Sequence, residues 1–333
     1  MPALKRAFAW HRPLMAVAAL MLLCAAVCLI GAAVDPRQVG GAEVWLKPLK
    51  FSLSILIYSV TWAWLIAHLP RFRKAAHTAG TVIAVALAVE QIAIVAAAAS
   101  GTTSHFNVST PVSTALWGIM AVSITVLYVA TFVTTIMLFW MPLPTASLTV
   151  AVRAGAALAL VGLGLAFLMT GPTAQQLDDY QGIVGAHTVG VADGGPGLPI
   201  LGWSTVAGDL RIPHFVGMHA LQLIPLFAIA LDLLAPRIRM LADDRVRTRL
   251  VIVAASAFGA ALLVLTAQAL VGQSIVRPDG GILVAGWSVL GAALAATVVV
   301  LVGAARHPEP SAALLTAPAR IDPLDAPAET VQS

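Results

Sequence analysis

The sequence predicts an all-α integral membrane protein of eight transmembrane helices, arranged as a 4+4 parallel internal repeat. Three observations carry that expectation. Only 10% of the 333 residues are charged while 59% are hydrophobic, where a soluble domain carries about 25% charge. Eight apolar stretches reach the roughly 20 residues that a helix needs to cross a hydrocarbon core of about 30 Å. The basic residues, finally, fall mostly on alternate connections between those stretches. The mean hydropathy of +0.92 agrees. This composition excludes a soluble enzyme, a disordered chain and a nucleic-acid binder. It names the lipid bilayer as the first partner.

The stretches are 13–34, 48–69, 78–100, 113–138, 151–170, 213–235, 250–272 and 282–304. They are continuous apolar runs without ten-residue alternation, and backbone in a bilayer must be satisfied within each segment, so helices are expected and not strands. The first run follows Lys5, Arg6 and Arg12. It is longer than the 7–15 apolar residues of a secretory leader, so it reads as a span; a cleaved leader would leave seven spans. Cys24 and Cys28 lie inside it, four residues apart on one helical face. With no cysteine in any connection, a disulfide framework is excluded, and the pair reads as small core filling.

The fifth run carries Ala151, Gly155 and Ala159, a stripe of small residues suited to close helix contact, with Gly162 and Gly164 beyond it. Residues 171–212 form a Gly- and Pro-rich connection of 42 residues, long enough to expect a function; Trp203, His187 and several aspartates argue for order. The Pro- and Ala-rich residues 305–333 read as a disordered tail.

Of the 19 Lys and Arg residues, 14 fall on one set of segments: the N-terminus, Arg71 to Lys74, Arg153, Arg237 to Arg249 and the tail. Arg37, Lys47, Lys50, Arg211 and Arg277 fall on the other. The positive-inside rule then places both termini in the cytoplasm, and the composition fits a bacterial inner membrane.

Short matches suggest that the chain is built twice. LKPLKF at 46–51 answers LRIPHF at 210–215, PRFR at 70–73 answers PRIR at 236–239, and Trp117 answers Trp287. The offsets are 164, 166 and 170, each match at an equivalent depth. The expected organisation is a first four-helix repeat over 1–140, a second over 141–304 that includes the connection 171–212, and the tail 305–333. An even number of spans per copy makes the copies parallel, with Lys50 and His214 at equivalent positions.

Ionisable groups inside spans are costly, which makes them candidates for function. Glu90, beside Gln91, lies about 15 Å below the end of its span and either carries a proton or bridges helices. The sixth span reads Pro213, His214, Phe215, Met218, His219, Gln222, Pro225. His219 and Gln222 share a face, whereas His214 and His219 lie about 140° apart, so one straight helix cannot aim both imidazoles at one ion. Pro225 leaves the Leu221 carbonyl without its usual partner, and a kink is expected there. His105, Gln268, Asp209, Arg211 and His187 gather on the same outer side, with Gln273, Asp193 and Ser288. His11, His68, His77 and His307 read as solvated inner-edge residues.

The stretch from His187 (HTVG) through DGGPGLP to WSTVAGDLRIPHFVGMHALQ resembles a family of bacterial multi-pass membrane proteins. The resemblance covers residues 187–222 and implies that His187, Asp209, Arg211, His214, His219 and Gln222 belong together; it implies no activity. No phosphate-binding G-x-x-x-x-G-K-[ST] loop and no H-E-x-x-H zinc motif occurs.

Three function classes stay open. The first is small-solute or proton-coupled transport, along a pathway drawn from Lys50, Glu90, Gln91, His105, Asp209, Arg211, His214, His219, Gln222 and Gln268. The second is a membrane enzyme using a metal ion or haem, with His105, His187, His214 and His219 as candidate ligands beside Asp193 and Asp209. The third is a sensor or assembly protein using the outer connection.

Overall fold

The structure is a computed structural model that describes residues 2–306. The tail expected to be disordered lies, from His307 on, outside the described residues. Helices dominate: α1 (Pro2–Trp10), α2 (Arg12–Val34), α3 (Leu46–Ala67), α4 (Arg73–Ala99), α5 (Pro111–Leu138) and α6 (Ala146–Leu165) come first. They are followed by α7 (Ala174–Asp178), α8 (Arg211–Met218), α9 (Ala220–Leu234), α10 (Asp244–Leu270) and α11 (Gly280–Arg306). Among the described residues, two 3-10 turns (Ala166–Met169 and Arg239–Leu241) and four strands of two residues each complete the list: β1 (Gln38–Val39), β2 (Ala42–Glu43), β3 (Thr188–Val189) and β4 (Gly208–Asp209). Among the described residues, seven helices (α2 to α6, α10 and α11) are long and apolar enough to cross a membrane, and α8 with α9, bent by 42°, counts as an eighth where the pair is taken as one span.

Local sequence explains where the helices start. His11 caps α2, its Nδ1 accepting the Leu14 amide at 3.3 Å, and Pro13 follows where its missing N–H is harmless. Thr110 and Thr145 cap α5 and α6 in the same way, each accepting an amide at 3.1 Å. The Thr145 cap starts α6 five residues before the apolar run that predicts it, so Arg153 sits within the helix and not at its head.

The chain divides into two compact units. The first comprises the residues up to Trp140 together with Phe167–Val206. In it α2 packs on α3, α3 on α4, α4 on α5, and α2 also on α4. Trp62, Leu14, Met21, Ile83 and Ile94 are fully buried at its centre. The connection after α6 is ordered here: the Val108 amide donates to the Gly182 carbonyl and the Val184 amide to the Phe106 carbonyl, both at 2.8 Å.

Of the described residues, the second unit comprises Met141–Ala166 and the chain from Ala207 to Arg306. Here α6 packs on α8 and α9, these on α10, α10 on α11, and α6 also on α10. The small-residue stripe of α6 explains the first contact. A Cβ on Gly162 would lie 2.5 Å from Gly217 Cα, and one on Gly155 would lie 2.9 Å from the Ala220 carbonyl oxygen. The kink expected at Pro225 falls instead at His219, six residues earlier, between α8 and α9. Pro225 stays helical inside α9. The backbone breaks where Gly217 is drawn against Gly162.

A second expectation also changes. His11, read as a solvated edge residue, is 1% exposed and fixed at the head of α2. Because Nδ1 accepts from Leu14, Nε2 carries the proton and donates to the His77 carbonyl at 3.0 Å.

Candidate functional site

In the first unit, α4 supplies Glu90 and Gln91, α3 supplies Lys47, Phe51 and Ser52, and the segment after α4 supplies Ser104, His105 and Phe106. That segment re-enters because Phe106 adopts a left-handed φ of 65°, a conformation a bulky residue takes only where its surroundings impose it. Phe106 is buried, and the turn aims the neighbouring His105 back toward α4.

Glu90 is 3% exposed. Its Oε1 lies 3.5 Å from His105 Nε2, while Oε2 is buried with no hydrogen-bond partner among the described residues. On its other side, His105 Nδ1 lies 3.1 Å from Lys47 Nζ and 3.0 Å from Ser104 Oγ. An ammonium can only donate, so Nδ1 accepts and a neutral His105 presents its N–H to Glu90. The order Lys47, His105, Glu90 therefore runs from a half-buried amine to a buried carboxyl. The rings of Trp117, Phe51 and Phe106 enclose the imidazole, with centroids 5.6, 5.8 and 5.9 Å away. Gln91 Nε2 donates to the Pro48 carbonyl at 3.2 Å and to Ser52 Oγ at 3.0 Å, and its Oε1 is a second buried oxygen without a partner among the described residues.

A second histidine joins this wall. Phe106 packs on His187 at 5.0 Å as well as on His105. His187 donates from Nδ1 to Asp193 at 2.5 Å, and the Asp193 carboxylate also accepts the His187 and Thr188 amides and the Thr188 hydroxyl. Burial works against ionisation of Asp193, but His187 and these hydrogen bonds outweigh it and hold the carboxyl well below the usual range. Nearby, Asp35 is also held low, by hydrogen bonds from the Arg37 guanidinium and the Trp45 indole, and Arg37 Nη1 donates to the last carbonyl of α4, that of Ala99, at 3.0 Å.

The remaining expected site residues lie elsewhere or serve packing. Lys50 donates to the Leu201 carbonyl at 2.9 Å and so fixes a turn of the long connection. In the second unit, buried Asp209 grips Arg211 through two of its guanidinium nitrogens, at 2.9 and 2.5 Å. Gln268 shares a cleft with Asp209 that has no room for a water molecule, and it donates to the Ser274 carbonyl at 2.9 Å. His214 donates to the Gly162 carbonyl at 2.8 Å, bonding α8 to α6. His219 lies 3.3 Å from Gln222 Oε1 and stacks edge-on with Phe215 at the helix break.

No three His, Cys, Asp or Glu side chains among the described residues converge on a point where they could hold one metal ion. His105 and His187 are separated by Phe106, and His214 is committed to α6.

Sequence reasoning overlooked Lys47, although the internal match pairs it with Arg211, which was singled out. It also overlooked Asp244. That carboxylate accepts the Ala146 amide at 2.7 Å and the Ser147 hydroxyl at 2.7 Å at the head of α6, and it pairs with the buried Arg247, whose Nε lies 2.7 Å from Asp232.

The chain matches no family model, no curated protein and no solved structure. The resemblance of residues 187–222 therefore lends no residue a role.

Proposed function

We propose that this is a multi-pass protein of a bacterial inner membrane that couples transport of a small solute to proton movement through Lys47, His105 and Glu90. The observation that carries this reading is the buried carboxyl with one oxygen at His105 and the other unpartnered among the described residues. A purely structural bridge would engage both oxygens, since an unsatisfied buried polar atom costs about 1–3 kcal/mol. The imidazole relays by accepting a proton at Nδ1, from the Lys47 side, and releasing the one on Nε2 to Glu90.

Helix lengths support membrane placement. The shortest of the straight candidates, α6, has 20 residues and the longest, α5, has 28, so all reach about 30 Å. The distribution of Lys and Arg supports cytoplasmic termini. The same sequence of neighbour contacts within each unit supports a parallel duplication of four spans. In the first unit His11 ties the head of α2 to that of α4, and in the second Asp244 ties the head of α6 to that of α10.

The test is proton flux in vesicles that hold the purified protein and an internal pH-sensitive dye, under an imposed membrane potential. Glu90→Gln and His105→Ala should each cut the flux roughly tenfold or more while the protein stays monodisperse and helical. Lys47→Gln should slow it. Unchanged flux in Glu90→Gln refutes the relay.

A further inference from the structure

Where α1 meets α2, Lys5, Phe8, Ala9, Arg12 and Ala16 line an open groove of about 450 Å³. Lys5, Phe8 and Ala9 are spaced three and four residues apart, so α1 turns them onto one face. Neither Lys5 nor Arg12 has an ion-pair partner among the described residues, and no Asp or Glu occurs before Asp35. The groove is thus a pair of uncompensated cations over an apolar floor. That floor continues: on α2, Ala16 is followed at helical spacing by Leu20, Leu23, Val27 and Ile30, which are 49%, 63%, 51% and 64% exposed. Ala16 to Ile30 covers about 21 Å of helix.

We propose that this groove binds one anionic phospholipid, its phosphate between Lys5 and Arg12 and an acyl chain along the Leu20, Leu23 and Val27 stripe. Two cations set at the head of a long apolar stripe match an amphiphile with a negative head and a chain. A free phosphate would use the cations and leave the stripe idle. Basic pockets beside membrane helices take anionic headgroups for this reason, each cation near the surface adding to the attraction. The proposal rests on the membrane placement above and is independent of the proton relay, so Glu90→Gln protein binds the lipid as the parent does.

The experiment is native mass spectrometry of the full chain in mild detergent, titrated with phosphatidylglycerol, phosphatidylcholine and glycerol phosphate. One phosphatidylglycerol should bind in preference to phosphatidylcholine. Lys5→Gln with Arg12→Gln should weaken it roughly 30-fold, while Lys5→Arg with Arg12→Lys restores it. Leu23→Ser with Val27→Ser should weaken the lipid and leave glycerol phosphate unaffected. Arg71→Gln with Arg73→Gln, exposed cations outside the groove, should bind as the parent does. Equal affinity for phosphatidylcholine, undiminished binding in the Lys5/Arg12 variant, or glycerol phosphate binding as tightly as the lipid would each overturn the proposal. Circular dichroism of each variant separates lost binding from lost fold.

Discussion

Gly162→Ala tests the packing that shapes the second unit. The new Cβ would meet Gly217 Cα at 2.5 Å, and the approach is reciprocal, since a Cβ on Gly217 would meet Gly162 Cα at the same distance. Carbon atoms prefer about 3.5–4.0 Å, so the two backbones must part by about 1 Å or more. Neither is a flexible side-chain end that can swing aside. Overpacking of this kind costs about 1–3 kcal/mol, and a backbone clash belongs at the upper end. Separation also weakens the His214 bond to the Gly162 carbonyl, worth about 1 kcal/mol. Against this, Ala gains about 1 kcal/mol over Gly in helix propensity. The net expectation is a loss of about 3 kcal/mol, read by equilibrium unfolding in detergent micelles titrated with a denaturing surfactant. Gly286→Ala on α11 is the control, because nothing lies within 4 Å of its added Cβ; it should be neutral or stabilising by up to about 1 kcal/mol. If Gly162→Ala unfolds within about 0.5 kcal/mol of the parent, close α6–α8 packing does not set the position of the helix break.

Three further outcomes follow from named contacts. Asp244→Ala removes the acceptor for the Ala146 amide and the Ser147 hydroxyl and should lower unfolding stability by about 1–2 kcal/mol. His11→Ala loses both the α2 cap and the bond to the His77 carbonyl, a cost of about 2 kcal/mol; His77→Ala, which keeps that carbonyl, should cost far less on the same unfolding curve. Asp193 is depressed below the ordinary carboxylate value of 3.8, so its contribution to the long connection is complete above that pH and fades as pH falls through the lower folded-state value. Protection factors at the His187 and Thr188 amides, taken relative to the intrinsic exchange rate at each pH, should accordingly hold steady from pH 7 to about 4 and fall below it. Loss of protection between pH 7 and 5 would instead assign the switch to His187.

The helices were legible because continuous apolar runs leave the backbone no alternative to internal hydrogen bonding. Their ends were less so: Thr145 caps the start of α6 locally, but Asp244, nearly a hundred residues away, accepts the Ala146 amide there as well, and no local signal announces that second acceptor. Proline is the visible helix breaker and points to Pro225, whereas the break falls at His219, two residues beyond the close Gly162–Gly217 contact between two helices. Glu90, Gln91 and His105 stand out as polar residues in apolar surroundings, and the structure brings Glu90 to His105 while Gln91 bonds to α3. Lys47 was passed over because a lysine at a helix mouth ordinarily extends into solvent, and only the return of the chain at Phe106 supplies the imidazole it meets. His11 shows the opposite error, a histidine beside arginines that burial and capping remove from water.

The two units use one neighbour pattern for different ends, and that contrast bears on where the chemistry resides. Each binds its first long helix to its third at their N-terminal heads, by a histidine bonded to a carbonyl in one and by an aspartate and a buried arginine in the other. At the opposite helix ends the proposed duplication pairs Lys47 with Arg211. Lys47 reaches an imidazole that reaches a carboxyl, whereas Arg211 is neutralised by its own neighbour Asp209. On α10 the positions 164 to 170 beyond Glu90 read AASAFGA and hold no carboxyl. If the duplication proposed above holds, a titratable relay in one copy and a closed ion pair in the other would assign the proposed proton handling to the first unit. The second would then be left to hold its helices, including the broken pair α8 and α9, in place.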